Sequence, residues 1–462
     1  LMVRADAFAK AGGFSTDYEP AYYEDADLCL ALRTAGYRTL YQPRSVVYHA
    51  EGVSFGSNAS DAARALQDRN RVAFARKWAG ELREHCEPNA AHVDRAARRR
   101  MGTKTMLVVD AHVPFTDRDA GSRRMAFLID LLRARGWHVI FGSIDSDEYG
   151  GYTAALRDRG IDVIAGFDST TPAMLKHDNV AIDAAWLCRP EPAEAILPAL
   201  RGTFDAKVIF DTVDLHFRRL EREEDVHRRP TGWAAMRERE LAVARSADLT
   251  IAVSTDERDV LSASGIAPLA VVSVIEPILA EAVPGWASRS GVVFLGNYAH
   301  APNVDGVVWL CETIMPLVRE RIPGVRLTLA GADPTRAVRA LAGANVDVAG
   351  YVEDTAPLLD ASRVFAAPLR FGAGVKGKIV HALARGIPVV TTPVGAEGIF
   401  LDGGRDAVAA TAEAFAELIV CLYEDPAGWA AASERGSVIA QRFTPDAAAE
   451  HLDAALDALY AG

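Results

Sequence analysis

From Thr105 onward the chain alternates short apolar runs with amphipathic stretches of helical period, and it does so in two consecutive sets. In the first set, Met106–Val109 reads as a strand, Gly121–Arg135 as a helix and His138–Phe141 as a strand. Further strands fall at Val208–Phe210 and Leu249–Val253. The second set starts with a strand at Val292–Leu295, followed by a helix over Asp305–Arg319, strands at Arg326–Ala330 and Val364–Ala367, and a terminal helix over Pro445–Leu459. Strands joined through helices of this length pair in parallel and are covered on both faces. Two such sets predict an α/β chain with two Rossmann-like, parallel-sheet lobes and a cleft between them. The proline- and glycine-containing stretch Pro277–Arg289 is the natural boundary between lobes. The expected organisation is 1–60 as a separate partial unit, 61–103 as a helical tail and linker, 104–280 as the first lobe and 281–462 as the second.

Composition narrows the partners. Of 462 residues half are apolar, and the net charge of −12 argues against a nucleic-acid binder. The five cysteines, Cys29, Cys86, Cys188, Cys311 and Cys421, lack metal-site spacing and read as reduced thiols of a cytoplasmic protein. No apolar run approaches the roughly 18 residues that span a bilayer. The cluster Arg98-Arg99-Arg100 reads as a solvated linker, the other reading being contact with an anionic membrane surface.

The most informative segment chemically is F-G-A-G-V-K-G-K-I-V-H-A-L-A-R-G-I-P-V-V-T-T-P-V-G-A-E-G-I, Phe371–Ile399. A glycine-rich loop (Gly374, Val375, Gly377) carries Lys376 and Lys378 into an apolar helical stretch, Ile379–Ala384. Gly386 stops that helix before a short strand, Ile387–Val390. Glycines let backbone N–H groups approach a ligand, and a helix N-terminus favours an anion. Two ammonium groups there suit a diphosphate leaving group. An ordinary helix–strand unit with surface lysines fits the loop as well.

Other motifs stand at strand ends. Gly121-Ser122 opens a helix after the first strand, with Arg123 and Arg124 facing either a ligand or solvent. Asp211, Asp214 and His216 follow a buried strand, where acidic groups need partners; a cleft site is favoured over a structural histidine. Gly296 and Asn297 follow the first strand of the second lobe as in a nucleotide-binding turn, and Asn303 reads as a helix cap. Glu397 also lies past a strand end, and Asp145-Ser146-Asp147 reads as a solvated turn.

Taken in order, these motifs resemble the family-4 glycosyltransferases over residues 105 to about 445, most closely the enzymes of bacterial surface polysaccharides. The resemblance implies the GT-B architecture, with the nucleotide sugar on the second lobe, the acceptor on the first, and the terminal helix packing back on the first. It also implies retaining transfer with no metal or other cofactor, lysines and helix ends taking the metal's part. On this match Gly121 lies in the glycine loop near acceptor and diphosphate, His216 near the transferred sugar, and Lys376 and Lys378 at the phosphates. The family's glutamate pair is replaced by Ala373 and His381, so the sugar and ribose contacts do not carry over; Glu397 is offered as a source of one.

The opening segment, Arg4–Arg33, has a different character. Glu24, Asp25 and Asp27 gather at a predicted helix, Ala26–Ala35, where they either cap it or include a general base. Thr39–Tyr41 reads as a strand, and another strand delivers His49. The segment resembles the C-terminal half of family-2 glycosyltransferases of the GT-A fold, with the helical run R-N-R-V-A-F-A-R-K-W to Trp78 as that family's tail. The resemblance implies Asp25 as the base that deprotonates an acceptor hydroxyl. It also implies a divalent metal only in an intact GT-A domain, and a bifunctional parent of which this chain is a piece.

The sequence therefore points to a glycosyltransferase that moves a sugar from a nucleotide-sugar donor to a glycan or lipid-linked glycan, cytoplasmic or peripheral at the inner membrane face. A nucleotide-sugar epimerase on the same scaffold and an inactive glycan-binding module are the rival readings.

Overall fold

The computed structural model describes residues 1–37, 39–40, 45–48, 61–83, 85, 104–147, 149–178, 180–278, 283–399 and 407–460. The expectations placed on Tyr41, His49, Cys86 and Arg98–Arg100 lie outside these residues. The chain divides into two compact units, Leu1–Arg99 and Arg100–Gly462.

In the first unit the helix Glu24–Thr34 begins two residues before the sequence expectation. Three acidic side chains in its first turn complement the helix dipole, which explains the earlier start. Asp27 is buried and takes hydrogen bonds from the Tyr18 hydroxyl at 2.8 Å and Trp78 Nε1 at 2.7 Å, with Lys77 Nζ at 2.8 Å. Asn70 Nδ2 donates to the carbonyls of Tyr18, at 2.8 Å, and Ala21, at 2.8 Å. The helix Asp61–Lys77, expected as the helical tail of this segment, is bonded to it through Asn70. Thr39 and Leu40 form no strand, and Leu40 is exposed. A lone extended run without a ladder partner has little to hold it.

The second unit holds two parallel sheets. The first contains β1 (Thr105–Asp110), β2 (His138–Ser143), β3 (Asp162–Ala165), β4 (Ala184–Cys188), β5 (Lys207–Asp211), β6 (Leu249–Ala252) and β7 (Leu269–Val271), in the order β3-β2-β1-β4-β5-β6-β7. The second contains β8 (Val292–Leu295), β9 (Leu327–Ala330), β10 (Val346–Gly350), β11 (Val364–Ala367) and β12 (Val389–Thr391), in the order β10-β9-β8-β11-β12. In each sheet the order reverses beside the first strand of the set, which opens a crevice at the carboxyl ends of the strands. The central strands β1, β4, β8 and β11 are buried along their whole length, as sheets covered on both faces require.

The terminal helix, Pro445–Tyr460, packs Leu452, Ala455 and Leu459 into the core of the first lobe beside Met106 and Val108. A fully buried leucine there contributes roughly 1.5–3 kcal/mol, so this return crossing is firmly held. Where the chain passes between lobes, Glu276 N–H donates to Phe443 O at 2.7 Å, which ties the outgoing and returning segments together.

Three boundaries differ from the sequence reading for identifiable reasons. The helix expected at Asp305 starts at Ala301, because Pro302 suits a first helical turn. It continues through a π-helical turn, Leu310–Ile314, into Met315–Arg321; Pro316 lacks the N–H that a regular turn uses. The last strand starts at Val389 rather than Ile387, since Pro388 cannot donate to a ladder. Gly386 does end its helix, with φ +63° and the closing bond from Ile387 N–H to Ala382 O at 3.2 Å.

Candidate active site

Loops from the carboxyl ends of both sheets enclose a cavity of about 550 Å³. Two helices begin at it. The helix Ala120–Ala134 follows β1 and is capped by Asp119, whose carboxylate accepts Ser122 N–H at 2.8 Å. The helix Gly377–Ala384 follows β11, and its cap residue Lys376 offers no capping side chain. One N-terminus therefore already holds a carboxylate, while the other presents its orphan N–H groups to the cavity. The two ends meet so closely that a Cβ on Gly377 would lie 2.2 Å from Ala120 Cβ. Only glycine permits this approach.

Lys376 is buried and donates to Gly374 O, with Glu397 3.9 Å away. Burial lowers its pKa. Lys378 donates to Asn303 Oδ1 and lies 4.6 Å from the Phe294 ring centroid. Burial, then the charge of Lys376, pulls its pKa down to about 7. A desolvated lysine pair without a full carboxylate partner is a positively charged, poorly solvated site that favours an anion. Asn303 is not the helix cap that the sequence suggested. The helix starts earlier, and Asn303 bridges Lys378 to Asn297 O, the latter bond 2.6 Å. Gly296 sits against this pair: a Cβ there would come within 2.9 Å of Lys378 Nζ.

On the first lobe Asp214 lines the cavity, with Arg219 and His216 Nε2 each 3.2 Å from its carboxylate. Burial opposes ionisation, but the Arg219 charge and the neighbouring His216 outweigh it and hold Asp214 well below the usual carboxylate range. His216 stands behind Asp214, with Glu191 3.4 Å from its other nitrogen. Burial disfavours its charge, yet the Asp214 and Glu191 carboxylates beside it push it up to about 9. An imidazolium at neutral pH orients Asp214 rather than accepting a proton. Val213, immediately before, has φ +61°, a strained value for a β-branched residue.

The strand-end pair Asp211 and Arg124 has a structural role. Arg124 Nη1 lies 2.7 Å from Asp211, and Trp186 Nε1 donates to the same oxygen at 2.8 Å, all of it buried. Arg123 lines the cavity, 3.4 Å from Glu276. Glu397 is held away from the cavity lining by Arg222, which also donates to Gly372 O at 2.7 Å. His381 Nδ1 is 2.7 Å from Glu276 Oε1, and its Nε2 is 3.0 Å from Thr355 Oγ1. Ala373 packs against the apolar core of the first lobe. In the other unit, Asp25 is exposed and its Oδ1 accepts Ala26 N–H at 2.7 Å.

Two groups in or behind the cavity wall escaped the sequence reading. Arg189, with φ +67°, follows β4 and donates to Asp110 at 2.8 Å; its position past a strand end was the available signal. Glu257 accepts the N–H groups of Leu215, at 3.0 Å, and Gly374, at 2.9 Å, so one carboxylate joins both lobes. Burial, together with Asp214's charge, pushes it up to about 7. Nothing local in its helix, Thr255–Ala263, announces that role.

The fold and the convergent helix ends define a GT-B glycosyltransferase architecture, and residues 289–425 match the family described as Glycosyl transferases group 1. Within those residues the chain carries a glycosyltransferase domain of that description. Solved structures share the fold. Sucrose-phosphate synthase from Thermosynechococcus elongatus superposes with a TM-score of 0.63 at 16% identity, covering 78% of this chain and 99% of that one. HepE from Anabaena, solved with UDP and glucose, gives 0.58 at 16% identity over 76% and 99%. The pneumococcal O-GlcNAc transferase GtfA, solved with UDP and GlcNAc, gives 0.61 at 10% identity over 78% and 100%. A curated relative, an uncharacterized 44.6 kDa protein in the cps region of Klebsiella pneumoniae, is 30% identical over 139 residues, 28% of this chain. That match spans 36% of the relative's length.

Proposed function

We propose that the chain transfers a sugar, with retention, from a nucleotide-sugar donor to a glycan or lipid-linked glycan in bacterial surface-polysaccharide assembly. The observation that carries the reading is the open helix N-terminus at Gly377, abutting Ala120 and flanked by Lys376 and Lys378. A diphosphate bound there receives backbone N–H groups and two ammonium charges, which stabilise the leaving group as the sugar departs. These groups take the part that a metal plays elsewhere. Asp214, oriented by His216 and Arg219, faces the sugar from the first lobe. The bacterial polysaccharide context draws support from the Klebsiella relative in a cps region. Among the described residues no helix is long and apolar enough to cross a membrane; a cytoplasmic enzyme that meets a lipid-linked acceptor at the inner membrane face fits this reading. The acidic segment with Asp25 belongs, on the same proposal, to a GT-A partner activity in a bifunctional parent, where a divalent metal would act.

Nucleotide release from a panel of sugar nucleotides tests the assignment, with the Lys376→Ala/Lys378→Ala variant alongside. Acceptor-dependent release from one donor, lost in the variant with folding unchanged, is the expected result. Interconversion of the donor sugar without acceptor would make the chain an epimerase. Glycan binding with no turnover of any donor would make it a binding module.

A further inference from the structure

Beyond the phosphate end, the cavity runs to a rim on the first lobe built by the loops after β1 and β2. There the His112 ring stacks on Phe115, with centroids 4.5 Å apart and planes 10° from parallel. Phe115 in turn meets Tyr149 and Tyr152 edge-on at 4.8 and 5.0 Å. Tyr149 adopts φ +41°, a strained value for a residue with a side chain. Such strain persists where the surroundings over-determine it and gathers at ligand-binding loops. Its hydroxyl is anchored on Asp145.

At the edge of this ring cluster stands Asp117, an exposed carboxylate that lines the cavity. It receives two phenolic hydroxyls, from Tyr152 at 2.6 Å and from Tyr351 at 2.6 Å. The two donors differ in kind. Tyr152 is partly buried against the first lobe's core, whereas Tyr351 belongs to the second lobe and is 48% exposed. The second contact therefore crosses the cleft mouth and is the one that can be given up.

A carboxylate that accepts two O–H donors beside a cluster of aromatic rings has the chemistry that recognises a pyranose. Hydroxyls bind the carboxylate through charge-assisted hydrogen bonds, and the apolar face of the sugar ring covers the aromatic surface. Arg118, over the Phe115 and Tyr152 rings at 5.6 and 5.9 Å, balances the Asp117 charge, so the rim carries little net charge and suits a neutral polyol. We infer that Asp117, backed by His112 and Phe115, forms the subsite for the acceptor sugar, and that the Tyr351 hydroxyl holds the place of a sugar hydroxyl until the acceptor displaces it. The inference rests on the glycosyltransferase reading above. The subsite lies two residues from Asp119, the cap of the helix that meets the open phosphate-binding end, so acceptor and donor are adjacent.

The test compares Asp117→Asn and Tyr351→Phe with the parent chain, using p-nitrophenyl glucoside, galactoside and mannoside as acceptor probes. Binding is read by saturation-transfer NMR and transfer by acceptor KM, with sugar-nucleotide affinity measured separately. Asp117→Asn is expected to weaken glycoside binding about tenfold or more, the loss of a charge-assisted hydrogen bond. Tyr351→Phe removes a competitor and is expected to strengthen it severalfold. Opposite signs separate a subsite from a simple cross-cleft latch, in which both variants act alike. Changes of the same sign, or no glycoside bound by the parent chain, overturn the inference whatever nucleotide release shows. Glycoside binding with these signs but no turnover of any donor would leave the subsite standing and remove the transferase reading.

Discussion

Lys378 makes sugar-nucleotide affinity depend on pH in a direction the structure dictates. In the free protein burial and Lys376 bring its pKa down from 10.5 to about 7, so at pH 8 most Lys378 side chains are neutral. A diphosphate at the helix end reverses this. At an effective dielectric near 20, a unit charge about 4 Å away contributes roughly 4 kcal/mol, equivalent to about three pKa units. Binding at pH 8 therefore draws one proton onto Lys378. The sign follows from linkage: the charged form binds, so affinity is highest below the free-site pKa and is lost as pH rises above it. Kd is expected to be flat below about pH 6.5 and to rise up to about tenfold per pH unit between roughly 7.5 and 9. A sugar nucleotide is the suitable ligand because its diphosphate, esterified at both ends, keeps a constant charge across that range. Isothermal titration at pH 8 in two buffers of different ionisation enthalpy counts the protons taken up. Lys378→Arg, always charged, should bind with a shallower pH slope, and Lys378→Met should bind about tenfold to a hundredfold more weakly, its slope reduced to what the buried Lys376 contributes. A slope undiminished in Lys378→Met would refute the reasoning.

Other perturbations have equally definite outcomes. Gly377→Ala puts a methyl 2.2 Å from Ala120 Cβ and should abolish nucleotide release, while urea denaturation shows a loss of only about 1–3 kcal/mol. Arg222→Ala leaves Glu397 partly buried without its main partner and should cost about 2–4 kcal/mol of stability, and Glu397→Gln less; thermal melts of the two variants would rank them. In the first unit Asp27→Ala strands Lys77 and the Trp78 N–H, and a loss of about 1–3 kcal/mol is expected in that unit's unfolding transition, with Asp27→Asn milder.

Much of the architecture was legible because hydrophobic periodicity is a local property. Every strand named from the apolar runs after Thr105 appears within two residues at each end, and the glycine stop at Gly386 appears where backbone chemistry requires it. Errors clustered at prolines. Pro302 drew a helix start forward and Pro388 held a strand start back, so the residue without an N–H decided where hydrogen bonding began. The candidate site was legible in part for a similar reason. Glycines and lysines beside a helix start can be read along the chain, and the structure places Gly374, Val375, Lys376, Gly377 and Lys378 together on the cavity with Gly121, Asp214, Gly296 and Asn297.

The partners of those residues were not legible. Glu257 accepts the Gly374 N–H from 117 positions away, Arg222 reaches Glu397 across 175, and Asp117 meets Tyr351 across 234. No pattern in a local window reports such pairs, because they form only in the folded chain, where the two lobes face each other across the cleft. Burial in the folded chain likewise desolvates Lys376 and Lys378 and lowers the pKa of both, which the sequence does not report. By itself the order of apolar runs and glycines determined two parallel sheets and the loops that end them, since strand, helix and turn follow from neighbouring residues. Which side chains met across the cleft, and with what charge, was decided by tertiary structure alone, because burial and long-range pairing exist only in the folded chain.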